Sequence, residues 1–145
     1  MGLTSQDLVP GTRTTVASAL LAVHKSFLKP VTALMKKKVP IQGMAHITGG
    51  GFVDNIPRVL PKRVNAEIDR STWTVPPVFN IIERQGKVDH DEMYRVFNMG
   101  IGYVLFLREA DVPAALKVLS SVKQPVKVIG RVTKGTGIVT YSDKK

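Results

Sequence analysis

Apolar residues recur along the chain in short bursts of changing period, and the period assigns the elements. Val16, Leu20, Val23 and Phe27 fall three or four residues apart, the repeat of a helix with one buried face, and Thr14 or Thr15 stands where it can cap that helix. Pro30 is expected to kink or interrupt it. The continuation from Val31 to Met35 ends in Lys36, Lys37 and Lys38, cations that suit a helix C-terminus, before Pro40 stops it. Gly43 to Ile47 reads as a short strand broken by Thr48, Gly49, Gly50 and Gly51, after which Phe52 to Ile56 opens a helix. Pro57 sits near that helix start and Pro61 ends it. Val64 to Ile68 alternates as a half-buried strand, and Pro77 to Gln85 reads as a helix stopped by Gly86.

Asp89, with Glu92 three residues later, has the spacing of a capping box, so the acidic stretch from Asp89 to Glu92 reads as structural rather than as a metal site. Gly100 to Leu107 is an apolar run that fits a buried central strand. Asp111 can cap the helix that follows, with Ala115, Leu116 and Leu119 as its core face. Val126 to Val132 and Ile138 to Tyr141, joined by Lys134 to Gly137, read as a closing hairpin. Strands alternating with helices and ending in a hairpin predict an α+β fold, a mixed β-sheet covered by α-helices, in one domain over residues 1–145.

Composition narrows the chemistry. Zero cysteines exclude disulfides, thiolate nucleophiles and Cys-based metal sites. Apolar runs end well short of the about 18 residues a membrane helix needs, and Met1 to Asp7 lacks the pattern of a secretory signal, so a cytoplasmic protein is expected. Twenty-one Lys and Arg against 11 Asp and Glu give a net charge of +10, which reports the sign of a partner and not its kind. The basic residues gather loosely at Lys25 to Lys38, Arg58 to Arg63 and Lys123 to Lys134 with few aromatics between them. Solvated faces explain this pattern better than a basic RNA-binding domain, the weakest of the alternatives.

The segment His46-Ile-Thr48-Gly49-Gly50-Gly51 carries the most chemistry, because glycines between a strand and a helix let backbone N–H groups approach an anion. A tight turn requiring positive φ explains the same glycines equally well. Asn55, one turn on, and Arg58, about two turns into the expected helix, are placed to reach back toward a phosphate, and either fits a solvated surface group equally well. His46 can donate or accept a hydrogen bond beside the loop, although a lone strand histidine is more often structural. His24 and His90 lie far from it in sequence without ligand spacing, so no protein-built metal site is expected; Mg²⁺ carried by a substrate phosphate is compatible. Phe97 to Gly102 fails the dinucleotide fingerprint, having no preceding strand and no third glycine. Gly130 to Thr136 fails the P-loop pattern, because Lys134 precedes its second glycine.

The run Met44-Ala-His-Ile-Thr-Gly-Gly-Gly-Phe-Val-Asp-Asn-Ile-Pro-Arg-Val-Leu-Pro61 strongly resembles the C-terminal half of the phosphoribosylformylglycinamidine cyclo-ligases, the aminoimidazole ribonucleotide synthetases. Ile68 to Trp73, Pro77 to Phe79, Glu92 to Gly102 and Val128 to Gly130 continue that family's order, and Val16 to Val31 resembles its preceding helix, so the resemblance covers nearly the whole chain. It implies a ligase of purine biosynthesis that uses ATP and Mg²⁺ to close formylglycinamidine ribonucleotide into aminoimidazole ribonucleotide. It also implies that the N-terminal half, with most of the ATP-binding residues and the main contact of a homodimer, is absent here. The expected partners are therefore that ATP-binding domain and a phosphorylated ribonucleotide, and the chain alone is expected to be inactive. By the same resemblance Thr48, Gly49, Gly50 and Gly51 face the cleft between domains, Asn55 and Arg58 lie behind them, and His46 orients substrate. A non-catalytic module that binds a phosphorylated ligand is the alternative.

Overall fold

The computed structural model describes residues 2–142. Helix α1 (Val16–Leu20) is followed by an irregular linker and α2 (Leu28–Lys36), then strand β1 (Ile41–His46) and α3 (Gly51–Asn55), which runs into a 3₁₀ turn over Ile56–Arg58. Strand β2 (Val64–Asp69), helices α4 (Pro77–Gly86) and α5 (His90–Val96), strand β3 (Tyr103–Leu107), helix α6 (Val112–Ser121) and strands β4 (Gly130–Lys134) and β5 (Val139–Ser142) complete the order. The strands form an antiparallel pair, β1 with β3, and a mixed three-stranded sheet in the order β4-β2-β5. The α+β expectation holds, and no helix among the described residues is long and apolar enough to cross a membrane.

Four local expectations give way to tertiary structure. The helix expected from Val16 to Phe27 stops at Leu20, and its supposed core residue Val23 is 96% exposed. Pro30 does not break a helix: it is the third residue of α2, in the first turn, where backbone N–H groups have no intrahelical acceptor to lose. Thr15 does cap α1, its hydroxyl accepting from the Ser18 N–H.

The apolar run from Gly100 yields strand only from Tyr103, because Asn98 Oδ1 accepts from the Gly100 N–H and Met99 and Gly100 turn through positive φ. That strand is not central; it pairs with β1 alone. The closing hairpin is also replaced. β4 runs antiparallel and β5 parallel to β2, which lies between them, so Gly135 to Ile138 crosses over the start of β2. Asn65 Oδ1 makes this crossing tenable by accepting from the N–H groups of Thr136, Gly137 and Ile138 at 2.8, 3.2 and 3.1 Å.

Two apolar clusters hold these parts together. The larger packs Ala45, Ile47, Phe52, Ile56, Ala66, Ile68, Met93 and Val104 between the sheets, α3 and α5. The smaller seats Leu34, Ala115 and Leu119 of α2 and α6 against Leu105 and Leu107. A register shift between Ile41 and Gly43 keeps Ile41 opposite Leu107, on the side of that second cluster. Both clusters thus grip the β1–β3 pair, whose His46 end carries the glycine loop.

Candidate functional site

Strand alternation sets the loop's orientation. Ala45 and Ile47 point into the core, which leaves His46 and Thr48 on the exposed side. The chain then turns at Gly50, φ +87°, and enters α3 at Gly51, φ +54°, where an L-residue would be strained. Gly51 is also squeezed against α5: a Cβ there would overlap the Tyr94 carbonyl oxygen and stand 3.0 Å from that of Phe97. Phe52, wholly buried, anchors the next position. Asn55, 6% exposed, latches the turn from within, its amide donating to Gly51 O at 2.7 Å and Gly49 O at 3.3 Å.

The loop's donors divide. The Gly50 N–H bonds Val96 O and the Gly51 N–H bonds Thr48 O, so these two are spent inside the fold. The N–H groups of Thr48 and Gly49 meet no acceptor among the described residues, and both residues are exposed. Helix α3 has only five residues, so any anion here relies on these N–H donors more than on a helix dipole, together with the Thr48 hydroxyl, whose bond to Asn55 Oδ1 is a long 3.5 Å. Asn55, expected to reach toward a ligand, spends its amide on loop carbonyls. Arg58 lies in the 3₁₀ turn beyond α3, exposed and without an ion-pair partner among the described residues. Asp54, which the sequence reading did not single out, folds back over Gly50, so one flank of the loop is acidic while the Thr48–Gly49 edge offers donors.

His46 has neighbours that sequence distance concealed. The His24 ring lies 5.3 Å from it, centroid to centroid, although 22 positions separate them in the chain. Phe27 and Tyr103 complete a circle of four rings, 5.2 Å apart from each other, with Tyr103 5.9 Å and Phe27 6.0 Å from His46. Phe27 is seated over Gly102, where a Cβ would come within 2.7 Å of its ring. The rings line a cavity of about 340 Å³ on the exposed side of β1, immediately before the loop. Among the described residues no three His, Asp or Glu side chains converge as metal ligands, and His90 instead pairs with Glu83 at 2.8 Å. A larger cavity of about 530 Å³ lies beside α2, α6, β3 and the segment from Gln124 to Val132, walled mainly by aliphatic side chains such as Val31, Leu34 and Leu119, with Lys25, Gln124, Lys127 and Arg131 also in its lining.

Comparison with known proteins bears on what this arrangement serves. Residues 10–142 match the family described as AIR synthase related protein, C-terminal domain. The phosphoribosylformylglycinamidine cyclo-ligase of Thermoanaerobacter sp. (strain X514) is 43% identical over 132 residues, 91% of this chain and 39% of its own length. The protein of the same name from Carboxydothermus hydrogenoformans is 49% identical over 121 residues, covering 83% of this chain and 35% of its own. That from Bacillus cytotoxicus is 44% identical over 119 residues, covering 82% and 34%. The chain therefore spans less than two fifths of the length of these curated relatives.

Proposed function

Since the chain belongs to the AIR synthase related family, C-terminal domain, we propose that it supplies one wall of a cyclo-ligase active site. On this reading residues 1–145 form one domain that works in the cytoplasm against an ATP-binding N-terminal part. The complete protein is a homodimer joined mainly through that other part. ATP and its Mg²⁺ arrive as substrate, because Mg²⁺ favours phosphate oxygens over all-protein cages. The reaction transfers the γ-phosphoryl group to the formyl oxygen of formylglycinamidine ribonucleotide and releases ADP. The amidine nitrogen then attacks the activated carbon, the C–O bond breaks, phosphate leaves, and loss of protons completes aminoimidazole ribonucleotide. Catalysis of this kind is positioning and charge stabilisation.

The observation that carries the reading is the donor edge of the loop: unspent N–H groups at Thr48 and Gly49 beside exposed His46, with exposed Arg58 beyond the far end of α3. In the proposal Thr48, Gly49 and Arg58 hold the ribonucleotide's phosphate, Gly50, Gly51 and Asn55 keep the loop's shape, and His46 orients the reacting end. The test joins this chain to the N-terminal part of a relative's cyclo-ligase and measures steady-state kinetics. Thr48→Ala and Arg58→Ala each raise KM for formylglycinamidine ribonucleotide by about tenfold or more, the worth of a charge-assisted hydrogen bond, and leave KM for ATP unchanged. A rise confined to ATP, or no change in either, contradicts the assignment.

A further inference from the structure

The ring circle of His24, Phe27, His46 and Tyr103 has no structural task that requires it to face solvent. His24 and His46 are exposed, Phe27 and Tyr103 only half-buried, and Leu28 beside them is 75% exposed. Exposed rings gathered around a cavity of about 340 Å³ have the size and lining of a small-ligand site. Phe27 and Tyr103 lie within 32° of parallel and His46 within 34° of Tyr103, while His24 stands at 79° to His46. Such walls offer flat faces for stacking and imidazole nitrogens that either donate or accept at a ring edge. Lys25 is the one formally charged side chain among the lining residues, so a neutral guest suits the cavity better than a cationic one.

We propose that this cup is the subsite for the neutral, planar nitrogen heterocycle of a nucleoside phosphate, with His24 as a specificity-determining residue brought in by the linker between α1 and α2. The inference rests on the phosphate assignment at Thr48 and Gly49. Two residues of extended chain, roughly 7 Å, separate His46 from Thr48, so one nucleotide can place its base in the cup and its phosphate at the loop. Two sources share this chemistry, an aminoimidazole ribonucleotide and an adenine nucleotide.

The test is NMR of this chain with labelled histidine, tyrosine and phenylalanine rings, titrated separately with aminoimidazole ribonucleotide, AMP and ribose 5-phosphate. One of the two nucleotides shifts the His24, His46 and Tyr103 ring signals together with the Thr48 and Gly49 amides, and which one does so identifies the source. Ribose 5-phosphate shifts the amides alone. His24→Ala, an exposed substitution that leaves the fold intact, weakens the nucleotide at least fivefold and leaves ribose 5-phosphate binding unchanged. Nucleotide shifts confined to the loop amides overturn the cup and spare the phosphate assignment. Ring shifts equally large with ribose 5-phosphate also overturn it, and silence at both places overturns the cup and the phosphate assignment together.

Discussion

Single side chains decide whether the irregular parts of this chain exist. Asn55 does so for the glycine loop, because a buried carboxamide that bonds Gly49 O and Gly51 O leaves no local alternative to the turn. Asn55→Ala strands these carbonyls and is expected to cost about 1–3 kcal/mol, read as a lower denaturant midpoint with altered amide shifts from Thr48 to Gly51. An unchanged midpoint would show that the loop holds without its latch. Arg70 plays a comparable part elsewhere, its guanidinium 4.9 Å from the Tyr94 ring and 5.0 Å from Tyr141 while bonding Asp91 at 2.5 Å. Burial pushes the Tyr141 phenol up to about 12, against the opposing pull of Arg70. Below pH about 10 native and unfolded chains both keep that proton; between about 10 and 12 only the native chain does, so stability falls as pH rises through this window. Tyr141→Phe removes this contribution, and its urea midpoint is expected to fall less between pH 9 and 11 than that of the unaltered chain.

At the scale of elements, the three consecutive glycines have different tasks. Gly51 meets backbone of α5 and has positive φ, whereas Gly49 has open space around its Cβ position and ordinary φ. Gly51→Ala is therefore expected to cost roughly 1–3 kcal/mol, while Gly49→Ala leaves the thermal midpoint nearly unchanged. Equal effects from the two would contradict this division. The sequence already shows the turn at these glycines, and it shows β2, α4 and the Asp89 cap of α5 nearly to the residue and β1 to within two. Those elements are specified by neighbours in the chain: alternation, Pro77 at a first turn, and Asp89 accepting from Asp91 N and Glu92 N. What could not be read locally depends on distant partners. Val23 follows helical spacing yet has no surface to pack on, and Lys134 to Gly137 has hairpin chemistry yet crosses β2 because Asn65, about 70 positions away, satisfies its N–H groups. The candidate site divides in the same way. Its loop was legible as glycines after a strand, whereas the meeting of His24 with His46 depends on Phe27 settling over Gly102 and leaves no mark in spacing.

Across the whole molecule, both apolar clusters converge on the β1–β3 pair, the larger toward its His46 end and the smaller at its Ile41 end, while the surface around His46 stays open. Leu20, Leu21, Val23 and Leu28 are between 62% and 96% exposed along the first helices and their linker, close in sequence to the ring cup. A loop latched by Asn55 and an open apolar border are what one wall of a composite cleft requires. On the proposed function this chain completes a cyclo-ligase and does not act by itself. The most direct measurement is ADP release with formylglycinamidine ribonucleotide and Mg·ATP, from this chain alone and from this chain mixed with a separately made N-terminal part of a relative. Turnover is expected only in the mixture. Turnover by the chain alone, or none from a mixture of two folded and associated parts, would contradict it.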